Sequence, residues 1–125
     1  MRPLEQQLAL QRSAYGIDLP SLSGEERVAY VRMNVLAAVV ELTEMLDEVD
    51  AWKAWQTERS AAGSFKAGDD GVRFANEGVD VLIFVYNLLN LLPWMDEDKL
   101  QALTYDKQCE NKRRQSDGYA GKGDA

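Results

Sequence analysis

The segment VDVLIFVYNLLNLL, residues 79–92, decides the fold, because apolar residues cover nearly the whole circumference of the helix that it would form. Such a helix needs cover from other elements on most of its sides. Elsewhere the apolar residues recur at three- and four-residue spacing, and the alternation typical of β-strands is scarce. The sequence therefore predicts an all-α protein, a bundle of four to five helices.

Helix-breaking and helix-capping residues set the predicted boundaries. The predicted helices cover about residues 3–14, 23–55, 72–93 and 96–115. The second begins at Ser23, whose S-x-x-E spacing to Glu26 is that of a capping box. Its apolar stripe consists of Val28, Val31, Val35, Ala38, Val39, Leu42, Met45, Leu46 and Val49. We expect one domain, residues 1–125, with a flexible loop at about 60–71 and a mobile tail at about 116–125.

Composition excludes several classes of function. The 125 residues carry a net charge of −7, which argues against a nucleic-acid groove. There is no histidine, and Cys109 is the one cysteine, so an imidazole-dependent triad and a Cys/His zinc site are both excluded. No segment approaches the roughly 20 apolar residues of a membrane span. We expect a cytoplasmic protein that binds neither nucleic acid nor membrane.

Acidic residues recur in pairs on the second and third helices. Glu41 and Glu44 are three residues apart, Glu48 continues their face, and Glu77 and Asp80 repeat the spacing. A solvated acidic face is one interpretation, and a hydrogen-bonded structural acid at Asp80 is another. However, two antiparallel helices with such pairs can also direct four carboxylates into one gap, where oxygen ligands select Mg²⁺ or Mn²⁺.

A basic face follows on the fourth helix. Lys107, Asn111 and Arg114 share one side of it, and Tyr119 lies just beyond. Cations near a helix C-terminus also complement the helix dipole, so a solvated basic end is an alternative interpretation.

These motifs together resemble the all-α nucleoside triphosphate pyrophosphohydrolases, which include the MazG-like enzymes and the dimeric dUTPases. The family signature is an E-x-x-E pair followed by an E-x-x-D pair, here Glu41/Glu44 and Glu77/Asp80. The resemblance implies that these four acids hold Mg²⁺ or Mn²⁺, with Glu48 as a further candidate. It also implies hydrolysis of a (deoxy)nucleoside triphosphate to the monophosphate and diphosphate, with Glu44 or Glu41 as the catalytic carboxylate.

The resemblance extends to the substrate-binding residues. K-x-x-x-N-x-x-R-Q-x-x-G-Y is similar to the C-terminal block of the family, so the predicted phosphate ligands are Lys53, Lys107, Asn111, Arg114 and Tyr119. The resemblance places Phe84 beside the base, and the residues themselves add Trp55 and Asn34 to the predicted base pocket. A tryptophan at the end of an apolar stripe is alternatively a core or interface residue. Several amides could read a base edge or could equally be surface or helix-packing residues: Asn34, Asn87, Gln6, Gln7 and Gln11. Ile83 occupies the place of a histidine typical of dimeric dUTPases.

The length is that of the short phage and bacterial members, for which control of the deoxynucleotide pool is the implied role. dGTP and dUTP are the leading candidate substrates. One bundle of this size is too small to enclose a nucleotide, so we expect a homodimer or homotetramer with a core shared between subunits, the third helix buried between them. The competing hypothesis is a non-enzymatic acidic helical adaptor that binds a protein partner.

Overall fold

The computed structural model describes residues 2–50, 52–53, 63–66 and 68–118. Four α-helices follow one another: α1 Pro3–Tyr15, α2 Gly24–Asp47, α3 Val72–Leu89 and α4 Glu97–Ser116, with a 3₁₀ turn at Leu19–Ser21. The described residues form no strand beyond an isolated bridge between Val49 and Phe65. The all-α prediction is confirmed, and the predicted sharing of a core between subunits stays a prediction.

Two local predictions about α2 are wrong. The helix ends at Asp47 rather than near Trp55, because the backbone of residues 48–50 turns to hydrogen-bond with residues 63–66. Ser23 is the N-cap residue, but its side chain makes no capping hydrogen bond. Trp55 itself lies outside the described residues, as do parts of the predicted loop and tail.

α2 and α3 pack against each other in antiparallel fashion. Asn34 meets Asn87 near one end of the pair, and Glu48 meets Arg73 near the other. α1 covers the first of these ends, where Asn90 donates to the carbonyl oxygen of Leu4. The main apolar cluster lies at the same end and consists of Leu19, Tyr30 and Leu91.

The apolar stripe of α2 divides between two faces of the helix. Ala38 is buried and Met45 is half-buried on the side that meets α3. Six residues of the stripe are 36–56% exposed: Val28, Val31, Val35, Val39, Leu42 and Leu46. We call these six the outer stripe. The inward face is instead polar at Asn34 and Glu41 and at Glu48 just beyond the helix, because helical periodicity turns these residues to a different face from the outer stripe.

α3 is only partly covered within one chain. Asn87 is its one buried residue, and Val79 and Leu82 are nearly half exposed. α4 begins against α1, where the backbone amides of Leu4 and Glu5 donate to the Glu97 carboxylate. α4 has no buried residue and does not pack along α2 or α3. Within a single chain, other elements therefore bury α3 less completely than the sequence predicted.

Candidate functional site

Three of the predicted metal ligands converge between α2 and α3. Glu41, Glu77 and Asp80 each present one carboxylate oxygen, and these three oxygens lie within 4.8 Å of one another. Glu77 and Asp80 approach from neighbouring turns of α3, and Glu41 approaches from the inward face of α2. We call these three residues the acidic cluster. Glu44, the fourth predicted ligand, is exposed and lies beside Glu41.

The acidic cluster contains carboxylate oxygens that no other group satisfies. Oε2 of Glu41 and Oε2 of Glu77 are both buried, and neither has a hydrogen-bond partner. The pKa of Glu41 is raised to about 7, because its carboxylate has lost water and lies beside the carboxylates of Glu44 and Glu77. Charges of one sign that are removed from water need a hydrogen-bonded partner or a cation.

A divalent cation fits this donor set. Every donor is a carboxylate oxygen, the ligand type that selects hard ions such as Mg²⁺ and Mn²⁺. The ion would supply the positive charge that the orphaned oxygens lack.

A glycine allows the two helices to approach closely at the acidic cluster. A Cβ atom at Gly78, between Glu77 and Asp80, would lie 3.1 Å from Cε of Met45 on α2. That separation is tighter than ordinary van der Waals contact, so Met45 would have to move. The small residue at position 78 thus keeps the α3 acids near Glu41.

Glu48 has a partner of its own. Its Oε2 accepts a hydrogen bond from the Arg73 guanidinium at 3.0 Å, and its side chain is only 12% exposed. Among the described residues Glu48 therefore belongs to an ion pair rather than to the acidic cluster. Sequence reasoning did not anticipate Arg73, because an arginine in the first turn of α3 looks like ordinary surface charge.

A cavity of about 370 Å³ lies on the same face of α2 as the acidic cluster. Its lining includes the predicted base-pocket residues Asn34 and Phe84, together with Gln7, Gln11, Asn87 and Ile83. Asn34 and Glu41 are seven residues apart, so about 10 Å separates them along the helix. The cavity and the acidic cluster therefore lie side by side, as the base and the phosphates of one nucleotide would require.

Buried amides form a chain of hydrogen bonds along this cavity, which we call the amide relay. Nε2 of Gln7 donates to Oδ1 of Asn87 at 3.0 Å, and Nδ2 of Asn87 donates to Oδ1 of Asn34 at 3.1 Å. Nδ2 of Asn34 then donates to the carbonyl oxygen of Tyr30 at 2.9 Å. A carbonyl oxygen can only accept, so it fixes the direction of every amide in the relay.

Tyr30 also orients a second glutamine in the cavity. Its hydroxyl donates to Oε1 of Gln11 at 3.3 Å, which leaves Nε2 of Gln11 as a donor. Sequence reasoning missed Tyr30, although its position four residues before Asn34 places it on the same helical face.

Two of the predicted phosphate ligands make ion pairs within α4. Lys107 and Arg114 both pair with Glu110 of their own helix, and Asn111 is exposed. Nζ of Lys53 lies 5.5 Å from the centre of the Trp52 ring. Tyr119 lies outside the described residues, as Trp55 does.

Comparison with known proteins identifies the family. A family model described as dUTPase matches residues 5–93 of the chain. No curated protein and no solved structure matches it. The matched range contains all four signature acids and the whole amide relay, and it ends before α4.

The chain belongs to the dUTPase family, within the all-α nucleoside triphosphate pyrophosphohydrolases. At family level this membership indicates a nucleotide pyrophosphatase, a hydrolase of nucleotide metabolism. No described helix is both long and apolar enough to cross a membrane.

Proposed function

We propose that the protein is a divalent-metal-dependent pyrophosphohydrolase that converts a deoxynucleoside triphosphate to its monophosphate and diphosphate. The observation that carries the proposal is the acidic cluster, in which Glu41 and Glu77 hold buried oxygens without partners. Glu41, Glu44, Glu77 and Asp80 are the proposed ligands of Mg²⁺ or Mn²⁺. Family membership supports the reaction, since the matched range contains these four acids.

The proposed role of each carboxylate follows from how exposed its side chain is. A bound Mg²⁺ or Mn²⁺ supplies positive charge to the phosphates and acidifies a nearby water. Glu44 is exposed beside Glu41, so it can take up the proton of a water that attacks the α-phosphorus. Glu44 would share the cation with Glu41, Glu77 and Asp80. Lys53, Lys107, Asn111, Arg114 and Tyr119 are the proposed phosphate ligands.

The amide relay supports discrimination between bases. Among the described residues, Oε1 of Gln7 is left as an acceptor and Nε2 of Gln11 as a donor. The pairing edge of uracil or guanine presents a carbonyl oxygen, which accepts, beside a ring N–H, which donates. The pairing edge of adenine or cytosine presents a donor in the first place and an acceptor in the second. Because the relay fixes the acceptor and the Tyr30 hydroxyl orients the donor, one of these two classes of base should bind, and the other should leave polar groups unpaired.

We place the substrate in the uracil and guanine class, as dUTP or dGTP. The family description favours uracil, and both candidates share the same pairing edge. Phe84 lines the cavity and offers a ring on which either base can stack.

We further propose that the working protein is a homodimer or homotetramer. The outer stripe of α2 is a continuous exposed apolar surface, and such surfaces mark interfaces. The same stripe would serve an adaptor that binds another protein, which is the competing function.

One assay separates these two functions. The protein is incubated with the natural and uracil-containing deoxynucleoside triphosphates and the four ribonucleotides, with Mg²⁺ or with EDTA, and products are resolved by chromatography. We expect Mg²⁺-dependent release of monophosphate and diphosphate from dUTP or dGTP, and little from dATP or dCTP. Absence of turnover for every nucleotide, with no effect of Mg²⁺ on thermal stability, would overturn the proposal in favour of the adaptor.

A further inference from the structure

Polar side chains of α2 and α3 meet at three levels, which we call the polar ladder. On each helix successive levels are seven residues apart, or about 10 Å. From one end to the other, the ladder brings together Asn34 with Asn87, Glu41 with Asp80, and Glu48 with Arg73. The first level borders the cavity, the second belongs to the acidic cluster, and the third is an ion pair. Cavity, acids and arginine therefore follow one another along one side of the helix pair.

That order matches the order of the parts of a nucleoside triphosphate. With its base in the cavity and its α-phosphorus at the acidic cluster, the substrate directs its β- and γ-phosphates away from the cavity. Arg73 lies in that direction, one helical turn before Glu77. The Cβ atoms of these two residues are about 5–6 Å apart, a separation that an arginine side chain spans.

The guanidinium of Arg73 is anchored through one of its nitrogens. Nη2 donates to Oε2 of Glu48 at 3.0 Å, and the Arg73 side chain is 65% exposed. A guanidinium carries a planar fork of N–H donors that fits the oxygens of a phosphate group. The ion pair thus orients the side chain while much of its surface still faces solvent.

The backbone of Arg73 is also fixed, at the point where α3 begins. Its N–H donates to Oδ2 of Asp69 at 3.3 Å. Gly71 has a φ of 86°, and a Cβ atom there would lie 2.9 Å from the Phe65 ring, so a glycine is needed for the chain to turn so closely. The Phe65 ring also packs against that of Phe74, with centroids 5.3 Å apart. A ligand whose backbone and head group are already ordered loses little freedom when substrate binds.

Phosphates at this end of the site would need a further cation. The acidic cluster and Glu48 are negatively charged, and a divalent ion at the acidic cluster neutralises only part of the charge of a triphosphate. Arg73 is a cation that the α2–α3 pair itself supplies there.

We propose that Arg73 binds the β- and γ-phosphates of the substrate, and that Glu48 orients its guanidinium for this contact. Arg73 is then a substrate-binding residue additional to the phosphate ligands proposed above, and Glu48 is a positioning residue. The inference rests on the proposed function, because it assigns a further ligand to the substrate of that site.

Binding of inorganic diphosphate tests the inference without turnover. Isothermal titration calorimetry with Mg²⁺ present measures the affinity of the wild type and of each variant, and circular dichroism confirms that each variant is helical. Arg73→Ala should weaken binding at least about tenfold. Arg73→Lys should restore only part of the affinity, because an ammonium group lacks the planar fork. Glu48→Gln should bind at least as tightly as the wild type, because its amide oxygen still accepts from Arg73 but no longer competes for its charge.

Arg12→Ala is the matched control, since Arg12 is 52% exposed and pairs with Asp18 at 2.9 Å. It should leave the affinity for diphosphate unchanged. Wild-type affinity in Arg73→Ala, or no binding of diphosphate by the wild type, would overturn the inference. An equal loss in Arg12→Ala or in Glu48→Gln would overturn it too, because the effect would then come from general charge or from a structural ion pair.

The nucleotide panel separates this inference from the proposed function. Arg73→Ala should lose at least about tenfold in kcat/KM for the nucleotide that the wild type hydrolyses. If the wild type hydrolyses a nucleotide and Arg73→Ala keeps both its kcat/KM and its affinity for diphosphate, the proposed function stands and the role of Arg73 is wrong. If the wild type binds diphosphate through Arg73 and hydrolyses no nucleotide, the proposed function is wrong and only a phosphate site remains.

Discussion

The side-chain amide of Asn87 on α3 donates to Oδ1 of Asn34 on α2 at 3.1 Å, in the middle of the amide relay. Both residues are buried, with 5% and 1% of their surface exposed. Asn87 also accepts from Gln7, so it joins three helices through one side chain. A buried amide whose donor and acceptor are both committed fixes the orientation of its neighbours.

Asn87→Ala should reduce both stability and base selectivity. The substitution leaves Nε2 of Gln7 and Oδ1 of Asn34 without partners, and the free energy of unfolding should fall by about 2–4 kcal/mol. The freed amides can then turn, so the ratio of kcat/KM for dUTP or dGTP over dATP should fall as well. Denaturant unfolding and the nucleotide panel measure the two effects.

Asn76→Ala, at an exposed position of the same helix, is the control. An unchanged selectivity ratio would remove the relay from base recognition.

Glu48→Gln should reduce stability and leave most of the turnover intact. The substitution weakens the pair with Arg73, which is itself 65% exposed, so we expect a loss of about 1 kcal/mol in the free energy of unfolding. Glu77→Gln is the matched change within the acidic cluster and should abolish turnover. If Glu48→Gln abolishes turnover equally, Glu48 is a metal ligand or orients one, as the sequence alone had suggested.

The metal-free protein should lose stability as the pH rises. The pKa of Glu41 is about 7 in the folded chain, above its ordinary value of 4.5, because of desolvation and the neighbouring Glu44 and Glu77. The folded state therefore holds this proton more tightly than the unfolded state. The resulting stabilisation is complete below the ordinary value and disappears as the pH passes about 7.

Thermal unfolding in EDTA between about pH 5 and pH 8 measures this effect. We expect Tm to fall across that range for the wild type, and to fall less for Glu41→Gln, which cannot ionise. Added Mg²⁺ should raise Tm most at the upper end, where the ionised carboxylates are available to it. An equal slope in both proteins would show that Glu41 does not titrate in this range.

Leu42→Glu should dissociate the assembly. The change places a charge in the middle of the outer stripe, where Leu42 is 50% exposed in the single chain and would be buried against a second copy. Sedimentation velocity should show a shift from dimer or tetramer towards monomer. Val40→Glu, on another side of α2 with similar exposure, is the control. A wild-type protein that sediments as a monomer at micromolar concentration would contradict the proposed assembly.

Helix periodicity allowed most of the fold to be predicted from the sequence. The spacing of the apolar residues indicated helices, and breaking and capping residues placed the ends of α1, α3 and α4 within a few residues of those observed. The end of α2 was missed because no local signal marks it: residues 48–50 leave the helix to bond with residues 63–66, and that choice depends on a distant part of the chain.

The convergence of the acidic cluster could be predicted for a different reason. The i, i+3 spacing on two helices is visible in sequence, and it does place Glu77 and Asp80 opposite Glu41. Which side of α2 faces inward was not predictable, because the helix carries apolar residues on the outer stripe and polar residues on the face that meets α3. The amide relay was likewise hidden, since hydrogen bonds between three helices leave no periodic pattern.

Turnover of dUTP and dGTP by Asp80→Asn, measured beside the wild type with Mg²⁺ present, decides whether the acidic cluster is the catalytic metal site. The substitution removes the charge of one member of the acidic cluster at nearly constant shape, and Asp80 is exposed, so the helical fold should persist by circular dichroism. We predict that monophosphate and diphosphate appear with the wild type and fall at least about 100-fold with the variant. Retained turnover in a folded Asp80→Asn protein would contradict the assignment of the acidic cluster as the catalytic metal site.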